Sequence, residues 1–216
     1  MIARVRATVS LLAMVLLAAT SAAAGPREDG LAGLGNRDDV EVRRRAAFTL
    51  AEAGTMADVP VLLGALRDAD ARVRELAERA LWGVWSRSGD EDVDHLLRAG
   101  VVEMQHGQLE ASIDTFSEVI RRHPDFAEGW NKRATVYYLV GEYRKSAADC
   151  DEVLKRNPSH FGALSGYGMI WLRLDEPARA LERFEQALAV NPNLESVRET
   201  IEALRTLLIQ QRRNAI

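Results

Sequence analysis

Apolar residues in this chain recur every third or fourth position, and the runs that carry them are interrupted at regular intervals. Val59, Leu62, Leu63 and Leu66 share one face, as do Val197, Ile201, Leu204 and Leu208. Those spacings are the period of an amphipathic helix. Alternating runs of β-branched residues are few, so strands are not expected. Helical patterns are predicted from about Asp38 to Ala53, from Met56 to Leu66, and through the segment ending at Trp82 and Trp85. Residues 25–37 read as a loose lead-in with one weak apolar turn, Leu31 to Leu34.

Two repeats order these patterns. Val42, Arg43, Ala46 and Leu50 recur as Val73, Arg74, Ala77 and Leu81, a period of 31 residues. Further on, Pro124, Pro158 and Pro192 follow one another at intervals of 34. A proline lacks the N–H that would continue a helix, so each one closes one helical pattern before the next begins. The polar stretch Ser86 to Asp92 separates the two repeat types and is short enough that they are expected to stack as one array. Trp82 and Trp85, three apart, are expected to bury at the junction.

The 34-residue units resemble tetratricopeptide (TPR) repeats over residues 93–192, divided as 93–126, 127–160 and 161–192. The third unit fits best, with Leu164, Tyr167, Gly168 and Trp171, then Ala180, Phe184, Ala187 and Pro192. Gly100, Ala134 and Gly168 are small where the two helices of a unit cross. Phe116, Cys150 and Phe184 fill the space between units. Gly107, Gly141 and Asp175 take the turn within each unit. Residues 38–86 resemble short HEAT-like repeats of the type named after phycobilisome lyases. Residues 193–216 supply a capping helix and a frayed tail. The resemblance implies an all-α, right-handed solenoid of antiparallel helix pairs, stabilised by contacts between neighbours.

The first 24 residues follow a different rule. Arg4 and Arg6 precede an apolar run from Val9 to Ala19, and Ala22 to Ala24 offer an A-x-A cleavage site. This is the layout of a secretory signal, and the run is short for a membrane span. Export, most naturally to a bacterial periplasm, is expected, with no stable membrane insertion after cleavage. A formal net charge of −4 lacks the basic surplus that nucleic acid would call for. The single cysteine, Cys150, excludes an internal disulfide, so stability must come from packing.

Catalytic motifs are not found. His95, His106, His123 and His160 show no metal-ligand spacing, and His123 and His160 beside prolines read as exposed turn residues. Ser165 lacks the spacing of a nucleophile elbow. Asp149 and Asp151 read as one solvated helix face, and Cys150 as a packing residue. No catalytic, cofactor or metal residue is therefore assigned, and an enzyme is not expected.

In TPR arrays the first helix of each pair lines a concave face. That resemblance marks Arg98, Gln105, Asn131, Thr135, Tyr138, Ser165, Met169 and Arg173 as groove residues. Asn131 and Arg173 can hydrogen-bond a peptide backbone or a carboxylate, and Tyr138 and Met169 offer apolar contact. The lysine and asparagine that some TPR proteins use to clamp a terminal carboxylate are replaced by Leu97 and Val101. The expected role is a scaffold or adaptor that binds a peptide segment or protein domain. The alternatives are an accessory factor in envelope assembly or cell division and, suggested by the HEAT-like segment alone, a chromophore or cofactor lyase.

Overall fold

The computed structural model describes residues 25–214, which form eleven α-helices and, among the described residues, no strand. The expected signal segment, residues 1–24, and the last two residues of the tail lie outside the described residues.

Residues expected as a loose lead-in instead begin with a helix, α1 (Pro26–Leu34). Pro26 sits at its first turn with φ already set for a helix, and Glu28 and Asp29 face the positive end of the helix dipole. Its contact with α2 (Val40–Ala53) runs through glycine. A Cβ on Gly30 would lie 2.9 Å from Leu50 Cγ, and one on Gly33 2.8 Å from the Ala46 Cβ. The helix therefore packs without carrying an apolar stripe, which is why hydrophobic periodicity misses it.

A 3-10 turn (Met56–Asp58), α3 (Val59–Ala65) and α4 (Ala71–Trp85) complete this first layer. The 31-residue period has a direct structural meaning. Asp39 caps α2 by accepting from Glu41 N and Val42 N, and Asp70 caps α4 by accepting from Val73 N. Arg43 and Arg44 on α2 form forked pairs with Asp68 and Asp70, at 2.8 and 2.6 Å, tying the two helix starts together.

Three antiparallel pairs follow: α5 (Glu91–Gln105) with α6 (Leu109–Arg122), α7 (Ala127–Leu139) with α8 (Tyr143–Arg156), and α9 (Phe161–Arg173) with α10 (Pro177–Val190). A long helix, α11 (Glu195–Asn214), closes the array and stays helical to Asn214, where fraying was expected. Each pair turns through the left-handed region at Gly107 (φ 75°), Gly141 (φ 82°) and Asp175 (φ 59°). Within a pair the helices touch at backbone distance. A Cβ on Gly100 would lie 2.6 Å from the Phe116 ring, and one on Gly168 2.7 Å from the Phe184 ring. Ser112 Oγ donates to the Gly100 carbonyl and Ser146 Oγ to the Ala134 carbonyl, the same bond in successive units.

The first layer does not continue the stack ahead of α5. The chain reverses at Gly89 (φ 87°), and α3 and α4 lie across the loops that join one pair to the next. Trp82 and Trp85 meet His160 and Phe161 at the start of α9. Arg67 donates to the Ala189 and Val190 carbonyls, Arg74 to Asn193, and Asn193 Nδ2 donates to the Leu66 carbonyl. Phe161 is part of the layer's own core, together with Leu50, Leu81 and Trp85. At the junction between repeat types Trp85 is buried and Trp82 half-buried, and the junction is with the start of the third unit rather than the first. The layer is thus a brace along one edge of the array.

Phe184 is buried between the last pair and α11, against Gly168 and the cluster that includes Ile201. Phe184→Ala should cost roughly 3–5 kcal/mol, the usual range for removing a buried phenylalanine. Because units contact mainly their neighbours, hydrogen exchange should rise in α10 and α11 before α5 and α6. A uniform rise over all helices would contradict this local coupling.

Candidate functional site

The first helices of the pairs, α5, α7 and α9, share one face of the array. Between α7 and α9 that face opens into a cavity of about 160 Å³. Asn131, Thr135, Tyr138 and Met169 line it, so four of the eight residues expected in the groove converge here. Gly166 leaves an open floor, whereas Gly162, expected to do so too, abuts the Trp82 ring, where a Cβ would lie at 2.3 Å; the side chains of Ala163, Ile170 and Cys150 make the cavity apolar. The other four are placed apart from it. Ser165 Oγ donates to the Phe161 carbonyl of its own helix. The Arg173 guanidinium lies over the Tyr143 ring, 5.2 Å from its centroid. Arg98 and Gln105 are exposed on α5, outside the cavity.

A fully buried polar cluster stands at the edge of the cavity, and hydrophobic periodicity gave no sign of it. Glu128 and His160, both completely buried, meet with 3.0 Å between Glu128 Oε2 and His160 Nε2. This corrects the expectation that His160 is an exposed turn residue; His123, its counterpart one repeat earlier, is half-buried against Phe126. His160 also caps α9, because its Nδ1 accepts from Ala163 N at 3.1 Å. A ring nitrogen that accepts carries no proton, so the ring hydrogen sits on Nε2 and donates to Glu128. The Trp85 ring stacks on His160 at 4.5 Å, and Trp82 meets it edge-on at 5.4 Å.

Glu128 holds three further consequences. Burial by itself pushes its carboxyl up, but the hydrogen bond from His160 and the charge of Lys132 outweigh that and hold it below its ordinary value. Lys132 Nζ lies 2.8 Å from Oε1. Asn131 Nδ2 donates to Oε2 at 3.1 Å. Since a carboxylate only accepts, the amide must turn its NH₂ toward Glu128, leaving Asn131 Oδ1 outward.

Two other readings meet the coordinates here. Cys150 is buried in the cavity floor, and burial with nearby Asp149 and Asp151 pushes its thiol up to about 12, which suits packing and not nucleophilic attack. Asp149, expected on a solvated face, is instead buried and forms a forked pair with Arg133 at 2.8 and 2.9 Å. Among the described residues, no group of His, Cys, Asp and Glu is placed to hold a metal ion. No described helix is long and apolar enough to cross a membrane.

Comparison with known proteins agrees with this architecture. Residues 97–159 and 131–195 match the tetratricopeptide repeat, and residues 29–126 match HEAT repeats. The HEAT match begins inside α1, so that helix is part of the layer. A TPR repeat-containing protein of Rhizobium etli is 33% identical over 120 residues, covering 56% of this chain and 59% of that one. Anaphase-promoting complex subunit 7 of Dictyostelium discoideum is 31% identical over 100 residues, covering 46% of this chain and 17% of its own length. The chain thus spans less than two thirds of either curated relative. The Sgt2 TPR domain from Aspergillus fumigatus superposes with a TM-score of 0.55 at 19% identity, over 59% of this chain and 85% of that domain. The first TPR of Spaghetti, bound to an HSP90 peptide, gives 0.53 at 19%, over 55% and 94%. The chain carries TPR units together with a HEAT-type segment.

The depressed Glu128 carboxyl makes a pH prediction. Such a group contributes stability that is present above its unfolded value and is lost as pH falls toward its folded value. Glu128→Gln should therefore lower stability at neutral pH by about 1–3 kcal/mol. The gap from wild type should narrow between neutral pH and a pH below the ordinary carboxylate range, as wild type loses the same charge. Urea midpoints at both pH values measure it, and an equal gap at both would refute the charged pairing.

Proposed function

We propose that this chain of TPR and HEAT repeats is an exported, non-enzymatic scaffold that holds an extended segment of a partner protein on the concave face of α5, α7 and α9. The observation that carries this reading is the open cavity between α7 and α9, where Met169 is 43% exposed on a face otherwise built for packing. An exposed methionine beside an aromatic ring is a common feature of binding surfaces and serves no purpose in the stack itself. Several proteins of the same fold were solved with peptides: Spaghetti with an HSP90 peptide, the TPR2B domain of yeast Sti1 with an Hsp70 partner, and the Yersinia chaperone SycD with a peptide of YopD. Their fold is shared, and the mode of binding is carried over here as part of the proposal. Export rests on the basic start, short apolar run and small-residue site of residues 1–24.

Capture from an envelope extract tests both parts. Tyr138→Ala combined with Met169→Ala should weaken partner binding at least about tenfold, the scale set by losing one interface hot spot. Glu110→Ala and Glu199→Ala, both on exposed positions away from the cavity, should bind as wild type. If the second pair abolishes capture and the first does not, the partner sits elsewhere. Mass spectrometry of the envelope protein should find Gly25 as its first residue, and an N-terminus at Met1 would contradict cleavage.

A further inference from the structure

The chemistry of the cavity wall restricts what the groove can take. The serine and threonine hydroxyls near it are already spent on backbone carbonyls: Thr135 Oγ1 donates to the Asn131 carbonyl at 2.9 Å, Ser146 Oγ to the Ala134 carbonyl at 2.6 Å, and Ser165 Oγ to the Phe161 carbonyl at 2.8 Å. Of the neighbouring cations, Lys132 is paired with Glu128, and Arg173 lies over the Tyr143 ring outside the cavity. No charged side chain lines the cavity. Two polar groups of the lining are left over among the described residues, the Tyr138 hydroxyl and the Asn131 amide oxygen. Asn131 is 9% exposed and lines the cavity, its Nδ2 is held by Glu128, and its Oδ1 has no partner among the described residues. That oxygen can only accept.

A carboxylate or phosphate arriving here would find no cation in the lining, and the single Tyr138 hydroxyl could not replace its hydration. A peptide N–H would find an acceptor with its direction already fixed. The volume adds a second restriction. A cavity of roughly 150 Å³ lined by apolar side chains holds one benzene-sized group, and this one measures about 160 Å³.

We infer that the groove binds an uncharged internal segment of an extended peptide. One apolar side chain of leucine, methionine or phenylalanine size fills the cavity between Tyr138, Met169 and Gly166, and a backbone N–H of the segment donates to Asn131 Oδ1. This rests on the concave-face reading above and names the chemistry of its partner. It also separates this groove from any site that selects a free, acidic C-terminus.

Gly166 supplies the decisive variant. A Cβ added there meets nothing within 4 Å, so Gly166→Leu starts its side chain into open space at the cavity floor and replaces a helix-interior glycine by a better helix former. Random ten-residue peptides are displayed on phage in two formats, one with the peptide internal and one with a free C-terminus, and selected on the full chain. Enriched sequences are then synthesised as C-terminal amides and as free acids and titrated by fluorescence anisotropy. The expected result is a single Leu, Met or Phe common to the internal-format binders, and equal affinity for amide and acid within about twofold. Gly166→Leu should weaken these peptides at least about tenfold, on the scale of one hot spot, with melting unchanged or raised. Enrichment only of free acidic C-termini would overturn the inference and leave the concave-face reading standing, and so would binding that survives Gly166→Leu but fails in the Tyr138→Ala, Met169→Ala variant. Peptides that ignore both variants would overturn the concave-face reading itself. No enrichment in either format overturns the inference.

Discussion

The stacking of Trp85 on His160 is the contact on which the arrangement of this protein turns. The tryptophan belongs to the HEAT layer, and the histidine ends the second repeat unit where it caps α9, far apart in sequence. Flat rings 4.5 Å apart bury much apolar surface and leave each ring little freedom to rotate. The histidine so held has two edges to use. One accepts the Ala163 amide and starts α9, and the other donates to Glu128 on α7. Glu128 in turn fixes the amide of Asn131 at the cavity wall. A single aromatic contact therefore connects the brace on one edge of the array to the polar group in its groove.

A buried carboxylate is costly unless every lone pair is answered, and removing one partner strands the rest. Glu128 is met by Asn131 and Lys132 one turn along its own helix and by His160, which only the folded array brings to it. Such a cluster contributes specificity of arrangement more than net energy. It gives the layer one seat on the array, because a shift along the loops would leave His160 without its stack. The rest of the stability comes from the repeated exchange of small for large residues, Gly100 with Phe116 and Gly168 with Phe184, which brings helices to backbone distance.

The repeat units could be read from the sequence because their rules are local. A proline closes a pair, a left-handed residue turns it, and small and large residues alternate at fixed spacing, as Gly107, Gly141 and Asp175 show. Asn131, Thr135, Tyr138 and Met169 were likewise reachable, since their positions on the first helices follow from the 34-residue period. Two features obeyed no local rule. Helix α1 packs through Gly30 and Gly33, so it has no apolar stripe to detect. The seat of the HEAT layer depends on residues as distant as Arg67 and Val190, or Trp85 and His160, and no periodicity links them. His160 read as an exposed turn residue because its burial is created by that seat.

Hydrogen exchange at the Ala163 amide tests this account most directly, since that N–H is the one His160 caps. Replacing Trp85 by alanine removes the stacked ring and leaves every repeat helix in place. The account predicts that exchange at residues 160–164 accelerates, together with the first turn of α7 around Glu128, while α5 and α6 keep their protection. Unchanged exchange at Ala163 in the Trp85→Ala protein would show that the HEAT layer does not hold the groove, and the coupling described here would fall.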